Sequence, residues 1–166
     1  MNNEYFMQIA LKEAQKALRC GEFPVGCLLA HQDTIIAVGS RKGTTGRVNN
    51  EIDHAEIQAL RQLSDLSTGI NPAEITVYCT LEPCLMCFGA ILIAGIRHIV
   101  YAYEDVMGGG TGCDVSSLPT LYTQHEIAVV PGVLRHESIA LFKTFFSNPA
   151  NTYWKESLLE SYTLSQ

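Results

Sequence analysis

A histidine, a glutamate and two cysteines are spaced in this sequence in a way that suits one metal ion: His54-Ala55-Glu56 and, further on, Pro83-Cys84-Leu85-Met86-Cys87. One imidazole and two thiolates make three zinc ligands, which leaves the fourth tetrahedral position for water, and Glu56 is a carboxylate placed to move that water's protons. Zinc lowers the pKa of such a water from ~16 toward ~7, so the set suits hydrolysis at neutral pH. Cys84 and Cys87 are three apart at an expected helix start, which puts both on one face, and the partial positive charge of a helix N-terminus favours their thiolate forms.

Other readings compete for the same residues. A Cys-x-x-Cys pair also serves redox chemistry, which would leave His54 and Glu56 without a role. Asp53-His54-Ala55-Glu56 matches a variant of the capping box, in which Glu56 would only satisfy a backbone N–H. A purely structural zinc site, holding a non-catalytic binding module together, needs a fourth protein ligand, for which Cys113 or His98 could be proposed. The joint pattern favours the catalytic reading because it is much rarer than either half. One geometric condition follows: residues two apart on a regular helix point about 200° away from each other. His54 is therefore expected at a helix boundary, with Glu56 approaching the water from another side. The small Ala55 between them would let its backbone N–H come close to a substrate.

The elements that must hold these residues can be read from periodicity and turn chemistry. Tyr5, Phe6, Ile9, Ala10, Ala14, Ala17 and Leu18 recur at helical spacing, predicting an amphipathic helix over about 3–19 that stops at Gly21. Two apolar runs, Pro24 to His31 and Thr34 to Ser40, flank Gln32-Asp33 as a hairpin would. Residues 41–52 read as a polar loop, and a helix is expected from near Asp53 through Ile57, Leu60 and Leu63. Ile75 to Thr80 is a strand, Pro83 opens a helix reaching about Ala94, and His98 to Tyr103 is the next strand, a parallel crossover. Glu126 to Val130 is a fifth strand candidate, and Glu137 to Phe146 and Tyr153 to Tyr162 read as closing helices. The sum is a three-layer α/β/α domain with a five-stranded mixed sheet, residues 1–146 carrying the site and 147–166 forming a C-terminal helical extension of the same domain.

The chain has 166 residues, 47% hydrophobic and 17% charged, enough for one real core. No apolar run approaches the ~20 residues of a membrane span, and the start lacks the pattern of a signal peptide, so a cytoplasmic location and reduced cysteines are expected. A net charge of −6 argues against a broad nucleic-acid footprint. Arg41, Lys42 and Arg47 form a local basic group, read first as solvated loop charges.

Through Phe23-Pro24-Val25-Gly26, His54-Ala55-Glu56, Thr80-Leu81-Glu82-Pro83-Cys84-Leu85-Met86-Cys87 and the Asp105 to Cys113 loop, the chain resembles the cytidine and deoxycytidylate deaminase superfamily, particularly the branch of bacterial tRNA adenosine deaminases and free-base deaminases. The resemblance implies one zinc on His54, Cys84 and Cys87, proton transfer by Glu56, and a homodimer. Phe23, Val25 and Leu81 could line the slot for a flat ring. Many relatives place a substrate-binding asparagine just after the second strand. This chain has Gly39-Ser40-Arg41-Lys42 there, which leaves Asn49 and Asn50 as substitutes. Trp154 in the extension is a candidate lid. The expected function is zinc-dependent hydrolytic deamination of a nucleobase or nucleoside, favouring a small free base or nucleoside over tRNA because of the acidic charge, the displaced asparagine and the lid; the alternative is a tRNA adenosine deaminase.

Overall fold

The computed structural model describes residues 2–65, 69–123 and 126–166. Helix α1 (Asn3–Arg19) begins at Asn2, whose side chain accepts from Tyr5 N–H, and carries Glu4 in its first turn and Lys16 and Arg19 in its last, matching the helix dipole at both ends. Gly21, in a left-handed conformation, turns the chain away. Strands β1 (Gly26–His31) and β2 (Thr34–Ser40) form the expected antiparallel hairpin. Helix α2 (Ala55–Arg61) and two short 3-10 turns lead to β3 (Ile75–Leu81), buried along its whole length. Helix α3 (Leu85–Ile93) crosses to β4 (His98–Tyr103), which pairs parallel to β3. A single-turn helix α4 (Thr120–Thr123), strand β5 (Ala128–Val130), and helices α5 (Arg135–Ser147) and α6 (Leu158–Ser165) complete the chain.

The five strands lie in the order β2-β1-β3-β4-β5, antiparallel at the hairpin side and parallel beyond β3, so the sheet is mixed, as expected. Alternation along the strands separates two apolar layers. Leu28, Ala30, Tyr78, Val100 and Ala102 pack against Phe6, Met7, Ala10 and Leu11 of α1. Cys27, Leu29, Val77, Cys79 and Ile99 face the other way, into a larger core with Ala55 and Ala59 of α2 and Phe88 and Ile91 of α3. Leu159 of α6 and Tyr153 are buried in that second core. Among the described residues no helix is long and apolar enough to cross a membrane.

Four expectations need correction. Pro83 is not the first residue of α3: Cys84 is the N-cap and the helix starts at Leu85. Helix α2 starts at Ala55 and not at Asp53. The last helix begins at Leu158 instead of Tyr153, because Trp154 and Glu156 take left-handed backbone conformations that no helix continues, and Ser157 caps the helix by accepting from Glu160 N–H. The fifth strand is three residues long, because Glu126 and Ile127, expected in it, precede it without strand pairing.

Candidate active site

Two helix N-termini converge at the site. His54 is the N-cap of α2, with extended backbone dihedrals (φ −62°, ψ 160°), and Cys84 is the N-cap of α3 (φ −66°, ψ 169°). Neither side chain caps its own helix, so both are free for another partner. Leaving His54 outside the helix resolves the spacing problem, since its imidazole and the Glu56 carboxylate no longer obey helical angles. Gly39 brings α2 in: a Cβ there would collide with the carbonyl of Ala55, so the helix start rests directly on β2. The loop after β4 seals α3 likewise, with Gly110 N–H donating to Pro83 O (2.8 Å).

His54 Nδ1 lies 3.5 Å from both Cys84 Sγ and Cys87 Sγ. Tetrahedral zinc, with Zn–S of ~2.3 Å and Zn–N of ~2.0–2.1 Å, places its nitrogen and sulfur ligands ~3.6 Å apart, so the donor set fits that ion. Among the described residues Cys113 and His98 do not join this group. In the protein without metal, the Cys87 thiol and the His54 ring hold the Cys84 thiol down at about 4, whereas the bond to Cys84 and burial push Cys87 up. Burial disfavours a charged His54, but the Cys84 sulfur and the Glu56 carboxylate outweigh it and raise its pKa.

Glu56 is 3% exposed and its Oε2 has no hydrogen-bond partner among the described residues. Burial pushes its carboxyl up, opposed by His54. The capping box does not form: Asp53 pairs with Arg61 (2.6 Å) and accepts from Asn50 Nδ2 (2.8 Å), leaving Glu56 uncommitted. Glu56 and His54 open onto a cavity of about 210 Å³ walled by Phe23, Val25, Leu81, Tyr153, Trp154 and Leu159.

Four of the expected substrate contacts, Phe23, Val25, Leu81 and Trp154, therefore line this cavity, and three do not. Ala55 is fully buried against β2. Asn50 spends its side chain locally, accepting from Ile52 and Asp53 N–H groups, and Asn49 lines a separate polar cavity. Arg41, just after β2, is no solvated loop charge: it is 2% exposed and lines the same cavity as His54 and Glu56. Its guanidinium donates to Lys42 O (2.8 Å), Asp53 O (3.4 Å), Glu51 Oε2 (3.3 Å) and Tyr153 OH (3.3 Å), while Tyr153 OH donates to Glu51 (2.8 Å). Glu51, Glu82, Asp105 and Met107 also line the cavity and were not singled out. The sequence signal at Arg41 is the first of three clustered cations, placed where an apolar strand ends.

Comparison with known proteins places this geometry. The family profile described as "Cytidine and deoxycytidylate deaminase zinc-binding region" matches residues 1–103. The tRNA-specific adenosine deaminase of Streptococcus pyogenes serotype M18 (strain MGAS8232) is 34% identical over 142 residues, 86% of this chain and 88% of the relative. That of Bacillus subtilis (strain 168) is 33% identical over 144 residues, covering 87% and 88%. A solved structure from work on A-to-I editing by tRNA:A34 deaminases superposes with TM-score 0.69 at 35% identity, covering 82% of this chain and 98% of that one. The guanine deaminase from Nitrosomonas europaea, 24% identical with TM-score 0.66 over 86% of this chain and 83% of its own, shares the fold.

Proposed function

This chain belongs to the cytidine and deoxycytidylate deaminase family and is a zinc-dependent deaminase, and from that premise we propose that its substrate is an adenosine in tRNA, converted to inosine with release of ammonia. The observation that carries the substrate is the similarity to tRNA-specific adenosine deaminases over 86% of the chain. A preference for a small free base has less support, although Tyr153 and Trp154 at the cavity wall favour it as a second reading.

His54 Nδ1, Cys84 Sγ and Cys87 Sγ would hold the zinc, which when bound would supply Lewis acidity that makes water a nucleophile near neutral pH. Glu56 does the proton work. Its unpartnered Oε2 takes a proton from the attacking water and delivers it to the ring nitrogen beside the attacked carbon; the carboxylate then takes the remaining proton of the added hydroxyl and passes it to the departing amine. A C–O bond forms, the C–N bond breaks and ammonia leaves. Phe23, Val25 and Leu81 offer apolar faces to a flat ring and keep bulk water away from the exchange.

The test is inosine formation in an anticodon stem-loop RNA by zinc-loaded protein, beside ammonia release from free adenine, guanine and cytosine. Glu56→Gln is expected to lower kcat by ~10²–10⁴-fold with zinc content unchanged. Ammonia from a free base with no inosine in RNA would overturn the tRNA reading in favour of the second one. Full activity of zinc-loaded Glu56→Gln would sink the proton-transfer role.

A homodimer is the assembly we propose, formed through the outer side of α3. Apart from the zinc ligand Cys87 that nine-residue helix carries only apolar side chains, and its Leu85 and Ile93 are exposed, as is Leu121 of the neighbouring α4. A helix apolar on all sides is a buried one, and a second copy would bury it.

A further inference from the structure

We propose that a polar cavity on the far side of Tyr153 is a nucleic-acid backbone subsite, in which Arg47 pairs with the phosphate next to the target base. This rests on the tRNA reading and says where the backbone runs.

Tyr153 is a wall shared by two cavities of opposite chemistry. On one side lies the largely apolar catalytic cavity, and on the other a space of about 290 Å³ lined by Thr44, Thr45, Arg47, Asn49, Asn151 and Thr152. A nucleotide in a strand presents that division: a flat base that stacks on apolar and aromatic faces, and beside it a sugar and a charged phosphate that need donors and cations. The second cavity serves no step of the deamination itself.

Its frame is held and its ligating groups are unspent. Glu22 accepts from Thr44 N–H (2.6 Å) and Thr45 Oγ1 (3.1 Å), and Asn50 N–H donates to Gly43 O (2.8 Å), closing the loop over 43–50. On the opposite side Asn151 Nδ2 donates to Phe145 O (2.8 Å), fixing the turn after α5. Among the described residues, the side chains of Arg47, Asn49 and Thr152 have no hydrogen-bond or ion-pair partner, so a fixed rim presents a guanidinium, an amide and a hydroxyl with free donors. On a chain of net charge −6, a polyanion can be held only where cations are local, and Arg47 supplies one in the cavity that shares Tyr153 with the catalytic one. Asn49 thereby has a place at the substrate, beside its backbone and away from its base.

The experiment measures binding of a fluorescent anticodon stem-loop to zinc-loaded Glu56→Gln protein by anisotropy across a salt series, with and without Arg47→Ala. Arg47→Ala is expected to weaken binding roughly tenfold and to lower the slope of log Kd against log salt by ~0.7–1, with Arg47→Lys recovering the slope. In the active enzyme the effect falls on KM for RNA and not on kcat. Unchanged affinity and slope in Arg47→Ala, in a protein that deaminates the stem-loop, overturns the subsite alone. If the unaltered enzyme neither binds nor deaminates the stem-loop while releasing ammonia from a free base, the tRNA reading fails and the subsite with it.

Discussion

A guanidinium buried beside a metal site needs its N–H groups met by protein, and Arg41 does this with the carbonyls of Lys42 and Asp53, the Glu51 carboxylate and the Tyr153 hydroxyl. Because Asp53 immediately precedes His54, Arg41 steadies the backbone from which the imidazole is aimed. Arg41→Ala leaves buried acceptors unpaired, so a stability loss of ~1–3 kcal/mol is expected in denaturant titrations, together with faster zinc loss to a chromophoric chelator. Arg41→Lys, lacking the planar fork, recovers only part of either. The ligand set His54, Cys84 and Cys87 was legible in the sequence because zinc chemistry dictates both residue type and spacing. Arg41 was not, since what turns it inward is Tyr153, 112 positions away. Asn50 lies away from the cavity for the converse reason: nearness to His54 in sequence says nothing about which loop residues spend their side chains on one another.

At the scale of elements, the strands and first three long helices were readable to within a residue or two, since amphipathic periods and turn residues agree with the layers they pack into. The C-terminal stretch was not, because its apolar spacing fits a helix while Trp154 is committed to the cavity wall. Contacts between elements give two predictions. Gly39→Ala pushes the start of α2 away from β2, and a loss of ~1–3 kcal/mol with weaker zinc binding is expected from thermal melts and metal titration. Glu104, after β4, is held down at about 2 by its bonds to Arg135 of α5 and Tyr162 of α6. A carboxyl depressed below its unfolded value of ~4.3 contributes stability that is present above that pH and is lost as pH falls toward 2. The side chains are 31% and 27% exposed, so solvent screening keeps the contribution at about 1 kcal/mol. Denaturant titrations between pH 5 and 2.5 should show a smaller stability loss for Glu104→Gln than for the unaltered protein, and parallel curves would refute the coupling.

For the whole molecule, the distribution of polarity predicts more than its total. The acidic net charge argued against nucleic acid when read as a sum, yet the rim beside the site is where the cation stands. The outer side of α3, with Leu85 and Ile93, is apolar and exposed in the isolated chain, so Ile93→Glu is expected to convert a dimer to a monomer in sedimentation velocity, and a monomeric unaltered protein would refute that assembly. The placement of the ligands at the starts of α2 and α3 has one more consequence. Zinc is also a clasp between two chain segments, closing a loop of about thirty residues much as a disulfide would, and a tie of that length removes roughly 3–4 kcal/mol of freedom from the unfolded chain. The melting temperature should therefore depend on free zinc concentration, and a chain refolding under chelator must bring α2 and α3 together on side-chain packing alone. Metal supply would then govern how much of this protein a cell keeps folded, before it governs how fast any of it works.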